Sequence, residues 1–451
     1  MLAPAIARAR VSLMLVFALT FLLVLPAIPT LSASLDVEAE LKVVKSAYDN
    51  LRRNLYTDPD TIALLTSAQT EAQKALDQSL PLDALDGKNA ADQWEVFAQN
   101  VRALAIMTNV STLAPGDLAH RLVTAMTKTI NDLHTYFIPA KQADVERRAQ
   151  NGDSSIVNFG FTSMNINNGL YALGVVPHSP IDEAGLRYGD HVLSIDGQAL
   201  NPSTRATLLG NPQEGQTYTI TVQHAGDAGP TDLTVHIHRY VQASLIWRVL
   251  DGHIGYIQTF EFYDTIPQEL DSALADLHAQ HVDSLILDLR GNRGGINVDR
   301  VMGRFLTNDT ELGSSKGRRV QARKYARSDG KATETLPVTV LVDDASGSAS
   351  EIAALAFEED TTATVIGTKT AGAVGSTQRF ELGDGSLLSI TVAVYVSAKG
   401  ASLNGIGVTP TITVNRTNDD VLAARDPQLA AAITDANAKA NPTNYLPFLA
   451  A

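Results

Sequence analysis

The chain contains no cysteine. Disulfides are therefore excluded, and so is a lipid anchor attached through a thiol. Basic residues are in deficit, with 35 Lys and Arg against 49 Asp and Glu, for a formal net charge of -14. A surplus of acid of that size argues against nucleic acid and against an anionic membrane surface as partners. No segment has the GxxxxGK[ST] spacing that cradles a nucleotide's phosphates. His236 and His238 alternate in "TVHIHRY", but no third ligand stands near with metal-site spacing, so no metal and no cofactor are expected. No internal repeat is present. With 451 residues and 45% apolar content, the chain can bury the cores of two or three domains.

One long apolar run occurs, from Val11 to about Ile28. Arg8 and Arg10 precede it, and the small residues Ser32, Ala33 and Ser34 follow. This layout predicts a secretory signal peptide over 1–34, or an uncleaved N-terminal anchor, and an exported protein, periplasmic or extracellular. Membrane association is expected through this segment only.

Residues 35–145 read as helical. Val37, Leu41, Val44, Ala47, Tyr48 and Leu51 recur near the 3.6-residue period. A charged linker, "AKQADVERRAQNGDSS", follows. Residues 156–240 change to short alternating runs broken by turn signals, a small β module. Residues 247–416 alternate buried-strand and helix signals, which predicts an α/β core with largely parallel pairing. Residues 417–451 form a tail with one short helix. The fold class is multidomain α+β.

Chemistry concentrates in "VDDASGSASEIAALAFEED". Ser346, Ser348 and Ser350 crowd the turn between an apolar strand and a helix. Ser348 and Glu351 have capping-box spacing, and Ser350 is a further candidate cap. The same geometry suits a nucleophile, because free N–H groups at a helix start can hold a developing oxyanion. A serine hydroxyl still needs a base, and none is local. A second segment, "RGNRGG", follows a buried strand, and its glycines allow close backbone approach to a ligand.

Three segments together resemble the C-terminal processing peptidases and their tricorn-core relatives, over roughly residues 38–435. "SGSASEIAALAFEED" is similar to their nucleophile segment and "LILDLRGNRGG" to their oxyanion segment. "PHSPIDEAGLRYGDHVLSIDG" is similar to the core of a PDZ domain. The resemblance implies a core of the processing-peptidase (ClpP/crotonase-like) type and a serine endopeptidase with an acyl-enzyme mechanism. It makes Ser348 the nucleophile, and Gly294 or Gly295 with Ala349 the oxyanion hole. The base lysine of the processing peptidases, in GxxTFGKGxVQ, is missing. Its place in "GTKTAGAVGSTQ" is held by Ala373, and Lys369 lies four residues earlier. The tricorn-core branch instead uses a histidine, and "NDLHTYF" supplies His134. The acid that should orient it corresponds to Asn404 in "LNGIGVTPTI"; Asp132, Asp288, Asp343 and Asp344 remain alternatives. In the PDZ-like module Gly160, Phe161 and Thr162 would hold a peptide's C-terminal carboxylate, with strand addition giving the affinity. The implied partners are protein or peptide substrates, taken through free C-termini. The rival readings are a Ser-Lys peptidase using Lys369 and a weakly active or non-catalytic peptide-binding protein of the same fold.

Overall fold

The computed structural model describes residues 35–440, apart from 108–112, 131, 151–154, 211, 252, 308–309, 321–322 and 327–333. The expected leader, 1–34, lies outside the described residues. Among the described residues no helix is long and apolar enough to cross a membrane.

The helical region is built from four amphipathic helices, Val37–Asn54, Thr61–Ala75, Ala90–Ile106 and Asp117–Lys128. Asp36, Asp60 and Asn89 cap the first three, each accepting two backbone N–H bonds. Leu41, Val44, Ala47, Tyr48 and Leu51 face a shared core with Phe97, Leu104, Leu118 and Leu122. Glu40 is buried, yet its carboxylate accepts from the N–H groups of Gly116 and Ala119, so it ties the first helix to the start of the fourth. The segment read as a charged linker is instead helical over Ala140–Gln150. Its charges are used on the surface, where Arg147 pairs with Asp144 and Glu381.

The β module is a sheet of five main strands in the order Phe161–Ile166, Gly169–Val175, His191–Ile195, Thr217–Gln223, Thr231–His236. Phe161–Ile166 is an edge strand, with one side unpaired within the sheet. Phe159, Ile181, Ile195, Ile220 and Val235 form the module's own core. It rests on the chain's C-terminal part: the Tyr188 hydroxyl donates to the Arg425 carbonyl, and a Cβ at Gly189 would meet Ala424 at 2.9 Å.

The core domain holds a six-stranded sheet in the order Leu245–Leu250, Ile254–Thr259, Ser284–Asp288, Val338–Val342, Thr364–Gly367, Ile412–Thr413. The first pair is antiparallel and the others are parallel. Both central strands, "SLILD" and "VTVLV", are buried along their whole length, as helices on two faces require. One face is covered by Ile266–Ala279 and Ala349–Asp360. The other is covered by Pro427–Ala440, whose Ala432 and Ala436 pack on Ile254, Ile286, Leu341 and Ile366. The expected tail helix is thus an integral layer of the core.

One long strand departs from the expected parallel sheet. Leu387–Ser397 belongs to a separate antiparallel sheet with Tyr136–Ile138, Glu311–Lys316 and Gly375–Glu381. Its Leu388, Ile390 and Val392 join the core of the helical region. This strand connects the helical region to the catalytic-type core and sets the position of residues just before Tyr136.

At the C-terminal ends of the parallel strands, Asp288 is 1% exposed and is bonded by Arg290 and by the Tyr256 hydroxyl. Arg290 also reaches Asp426 and Gln428 at the start of the last helix. Removing one partner of a buried pair leaves the other charge uncompensated. Arg290→Met is therefore expected to lower the unfolding free energy by about 3 kcal/mol in a urea titration. A change below about 0.5 kcal/mol would show that the pair does not hold the last helix to the sheet.

Candidate active site

The serine turn is stitched to the glycine segment by bonds that leave one serine aside. Asp343 accepts from the N–H groups of Gly291, Ala345 and Ser346, and burial raises its carboxyl above the usual range. Ser346 donates its hydroxyl to the Leu289 carbonyl at 2.8 Å and accepts from the Asp343 N–H. Ser350 donates to the Asn292 carbonyl at 3.0 Å, and the Gly347 N–H donates to the same oxygen at 2.9 Å. Ser346 and Ser350 are fully buried in these roles. Three serines therefore occupy one turn because two of them fasten it and the third is presented by it.

Ser348 ends the turn with φ 54° and ψ -114°, a backbone conformation that L residues avoid. Such strain costs of order 1–3 kcal/mol and persists only where surroundings enforce it. A serine on a sharp strand-to-helix turn presents its hydroxyl outward. Ser348 and Glu351 stand in capping-box relation, but their close bonds are made by backbone. The Ser348 N–H donates to Glu351 Oε2 at 3.0 Å, and the Glu351 N–H donates to the Ser348 carbonyl at 3.0 Å. The Ser348 hydroxyl stands in a capping box with the Glu351 N–H but makes no helix-cap hydrogen bond.

Glu351 does more than the sequence indicated. It is fully buried, and its carboxylate also accepts from the Thr370 hydroxyl, the Gly372 N–H at 2.7 Å and the Ala373 N–H at 2.8 Å. Four donors converge on one carboxylate, which suits its full complement of lone pairs. Thr370 in turn accepts from the Val408 N–H. One side chain thus fixes both the nucleophile turn and the loop 370–373. Only the Ser-x-x-Glu spacing marked it in the sequence, and that spacing reads equally as a cap.

His134 meets this loop. Its Nε2 lies 2.7 Å from the Ala373 carbonyl oxygen. A carbonyl only accepts, so Nε2 carries a proton and donates it, and Nδ1 is the free ring nitrogen of the neutral form. Ala373, which stands where the processing peptidases have lysine, therefore contributes its backbone. His134 and Ser348 line one cavity of about 1080 Å³, with Gly295, Ala349, Ile352, Val374 and Tyr395 among its walls. Among the described residues no hydrogen bond joins the imidazole to Ser348.

Asn404 is not brought to His134. Asn404 lies beside the Tyr56 hydroxyl, and the expected orienting bond is absent among the described residues. The alternative acids are placed elsewhere as well. Asp132 accepts from the His134 backbone N–H and the Thr135 hydroxyl, not from the ring. Asp288 and Asp343 are engaged as described above, and Asp344 is exposed at the cavity wall. Lys369 is exposed, and no lysine lines the cavity among the described residues.

The two candidate oxyanion glycines are separated by their bonding. The Gly294 N–H donates to Asn292 Oδ1 at 2.8 Å, so it is spent inside the loop. Gly294 serves by fit: a Cβ there would lie 2.6 Å from Ser348 Cβ and 2.7 Å from the Ala349 nitrogen, at φ +102°. Gly295 is held beside Phe262, where the Ile296 N–H donates to the Phe262 carbonyl. Among the described residues nothing accepts from the N–H groups of Gly295 and Ala349. Gly295 and Ala349 line the same cavity as Ser348.

A second cavity, of about 1090 Å³, lies between the β module and the core. It is lined by Asn158 to Asn165, including Gly160, Phe161 and Thr162, and by Arg290, Arg293 and Arg416. Gly160 sits at φ +93°, packed so closely on Ser179 that a Cβ would lie 2.1 Å from its Cβ. Arg293, Asp344 and Ala345 line both cavities, so the two adjoin. Gln258 faces this second cavity, whereas Thr259 is buried and donates to the Asp288 carbonyl.

Residues 253–414 match the family described as Peptidase family S41, and residues 157–237 match the PDZ domain family. The chain is 28% identical over 295 residues to a carboxy-terminal-processing protease of Bartonella bacilliformis, a match covering 63% of this chain and 67% of that protein. It is also 28% identical over 336 residues to carboxyl-terminal-processing peptidase 3, chloroplastic, of Arabidopsis thaliana, covering 70% of this chain and 64% of the relative. The chain thus spans about two thirds of the length of the curated relatives it matches. Among solved structures, the photosystem II D1 C-terminal processing protease superposes with a TM-score of 0.52 at 19% identity, over 86% of this chain and 97% of that one. That similarity establishes the shared fold. Residues 253–414 thus resemble peptidase family S41, and residues 157–237 resemble a PDZ domain.

Because Glu351 accepts four bonds, an amide in its place must turn its NH2 toward N–H donors. Glu351→Gln is expected to destabilise the core by about 3 kcal/mol, seen as a lower urea midpoint. Stability within about 0.5 kcal/mol of wild type would contradict the bonding described.

Proposed function

We propose that the protein is an exported serine endopeptidase that recognises substrates by their C-termini. The carrying observation is the shared cavity lined by a strained Ser348, by His134, and by Gly295 and Ala349, whose N–H groups have no acceptor among the described residues. The match of residues 253–414 to peptidase family S41 supports the same reading. The leader-like layout of 1–34 supports export.

Ser348 Oγ attacks the scissile carbonyl, and its proton passes to His134. The new oxyanion is held by Gly295 and Ala349. His134 then protonates the departing amine, and water releases the acyl group by the same steps in reverse order. His134 first leaves the Ala373 carbonyl, since Nε2 cannot accept a proton while it donates one. Catalytic hydrogen bonds of this kind often close only when substrate is bound. Residues 158–165 form the recognition groove. A substrate's C-terminal strand adds to the free edge of Phe161–Ile166, and its carboxylate meets the backbone around Gly160 to Thr162. The adjoining cavities let one extended chain reach Ser348.

Labelling with a fluorophosphonate, which acylates only an activated serine, tests the catalytic part. Wild type and Lys369→Ala are expected to label alike, and Ser348→Ala and His134→Ala are expected to lose labelling by at least about 100-fold. Labelling that is absent in wild type, with peptide binding retained, would favour the non-catalytic reading. Loss in Lys369→Ala would restore the Ser-Lys dyad.

Recognition is tested with an apolar decapeptide by fluorescence anisotropy. The free carboxylate form is expected to bind at least about 10-fold more tightly than its C-terminal amide, the loss of about 1.4 kcal/mol. Equal affinities would remove C-terminal recognition from the account.

A further inference from the structure

An imidazole that acts as base needs something to hold its second nitrogen. Asp132, Asp288 and Asp343 are engaged elsewhere, Asp344 is exposed at the cavity wall, and Asn404 makes no bond to the ring among the described residues. One buried group close to the ring is left without a bond. Thr391 is fully buried, and among the described residues its Oγ1 has no hydrogen-bond partner. Its backbone is fully used: the N–H donates to the Thr135 hydroxyl, and the carbonyl accepts from the Tyr56 N–H. A buried hydroxyl without a partner is uncommon and calls for a reason.

The strand register places this hydroxyl beside His134. Tyr136 pairs with Ser389 and Phe137 with Leu388 in an antiparallel ladder. Continued by two residues, that register sets His134 opposite Thr391, and opposite residues share one face of a sheet. The strands do stay together there, because the Ser389 hydroxyl donates to the His134 carbonyl at 2.6 Å. Gly375 gives an independent marker of the same neighbourhood. A Cβ built on it would lie 3.3 Å from Thr391 Oγ1 and 3.5 Å from His134 Cδ2. Gly375 thus lies against both the Thr391 side chain and the Cδ2 edge of the ring.

We propose that Thr391 is the positioning residue for His134, and that its hydroxyl accepts the Nδ1 proton when the ring turns from Ala373 to Ser348. A half-turn about Cβ–Cγ exchanges Nδ1 with Cδ2 and Nε2 with Cε1. The turn breaks the bond from Nε2 to the Ala373 carbonyl and brings Nδ1 to the Thr391 side. Solvent moves the ring proton from Nε2 to Nδ1, which donates it to Thr391 Oγ1. Nε2 is then left with its lone pair and accepts the Ser348 proton. A hydroxyl replaces the missing acid as the tautomer-fixing group, and it provides orientation without a compensating charge. Gly375 keeps room for the turn, since any side chain there would fill the space between ring and hydroxyl.

This inference rests on the Ser348–His134 reading, and one set of variants separates the two. Phosphonylation by a fluorophosphonate is followed over a range of probe concentrations in wild type, Thr391→Val, Thr391→Ser and His134→Ala. Thermal midpoints are measured in parallel. Thr391→Val is expected to lower the maximal labelling rate by about 10- to 100-fold with unchanged half-saturation, and Thr391→Ser to stay within about 3-fold of wild type. The thermal midpoint of Thr391→Val is expected to equal or exceed that of wild type, because a methyl replaces an unpaired buried hydroxyl. Lost labelling together with a lowered midpoint would mean a structural role and would overturn the proposal. Labelling of Thr391→Val at the wild-type rate, with His134→Ala inactive, would overturn it while leaving the Ser348–His134 pair intact. Wild-type labelling in His134→Ala would remove the pair itself and the proposal with it.

Discussion

The site depends on a single buried carboxylate. Glu351 binds the N–H of Ser348 on one side and the N–H groups of Gly372 and Ala373, with the Thr370 hydroxyl, on the other. The nucleophile turn and the loop that meets His134 are otherwise far apart in the chain. A buried anion demands donors, and here the donors are the backbone of the two segments that must be aligned. The strain at Ser348 is held by the same arrangement, since its N–H is fixed by Glu351 while Ser346 and Ser350 anchor the turn on either side.

Around this centre the domains divide the work. The parallel strands bring "RGNRGG" and the serine turn to one end of the sheet, where loops carry chemistry and strands carry stability. The antiparallel strand Leu387–Ser397 sets the place of His134, because it pairs with Tyr136–Ile138 and lends its apolar face to the helical region. His134 therefore comes to the cavity from a different part of the fold than Ser348. A relative shift of those two parts changes the distance between His134 and Ser348 without altering either one's own surroundings.

Much of this was legible in the sequence, for stated physical reasons. The helices of 37–128 follow from apolar period and capping residues, and the central strands from unbroken apolar runs. Ser348 as nucleophile and Ala349 as oxyanion donor rest on the resemblance, since a hydroxyl-rich strand-to-helix turn reads equally as a helix cap. The role of Glu351 was hidden, since spacing alone cannot distinguish a cap from a hub that binds a loop some twenty residues away. Gly294 and Gly295 were equivalent until bonding showed that Asn292 takes the Gly294 N–H. Asn404 was assigned by resemblance, and among the described residues it makes no bond to the His134 ring. The charged segment from 140 was read as a linker because it has few apolar residues to mark a helical period, yet it is helical over Ala140–Gln150. Backbone groups such as the Ala373 carbonyl leave no mark in a sequence at all.

The most direct measurement is a crystal structure of the protein phosphonylated on Ser348. The account predicts the phosphoryl oxygen at about 3 Å from the N–H groups of both Gly295 and Ala349, with His134 turned away from Ala373 toward the adduct. An adduct whose oxygen points to solvent, with the imidazole still on the Ala373 carbonyl, would contradict it.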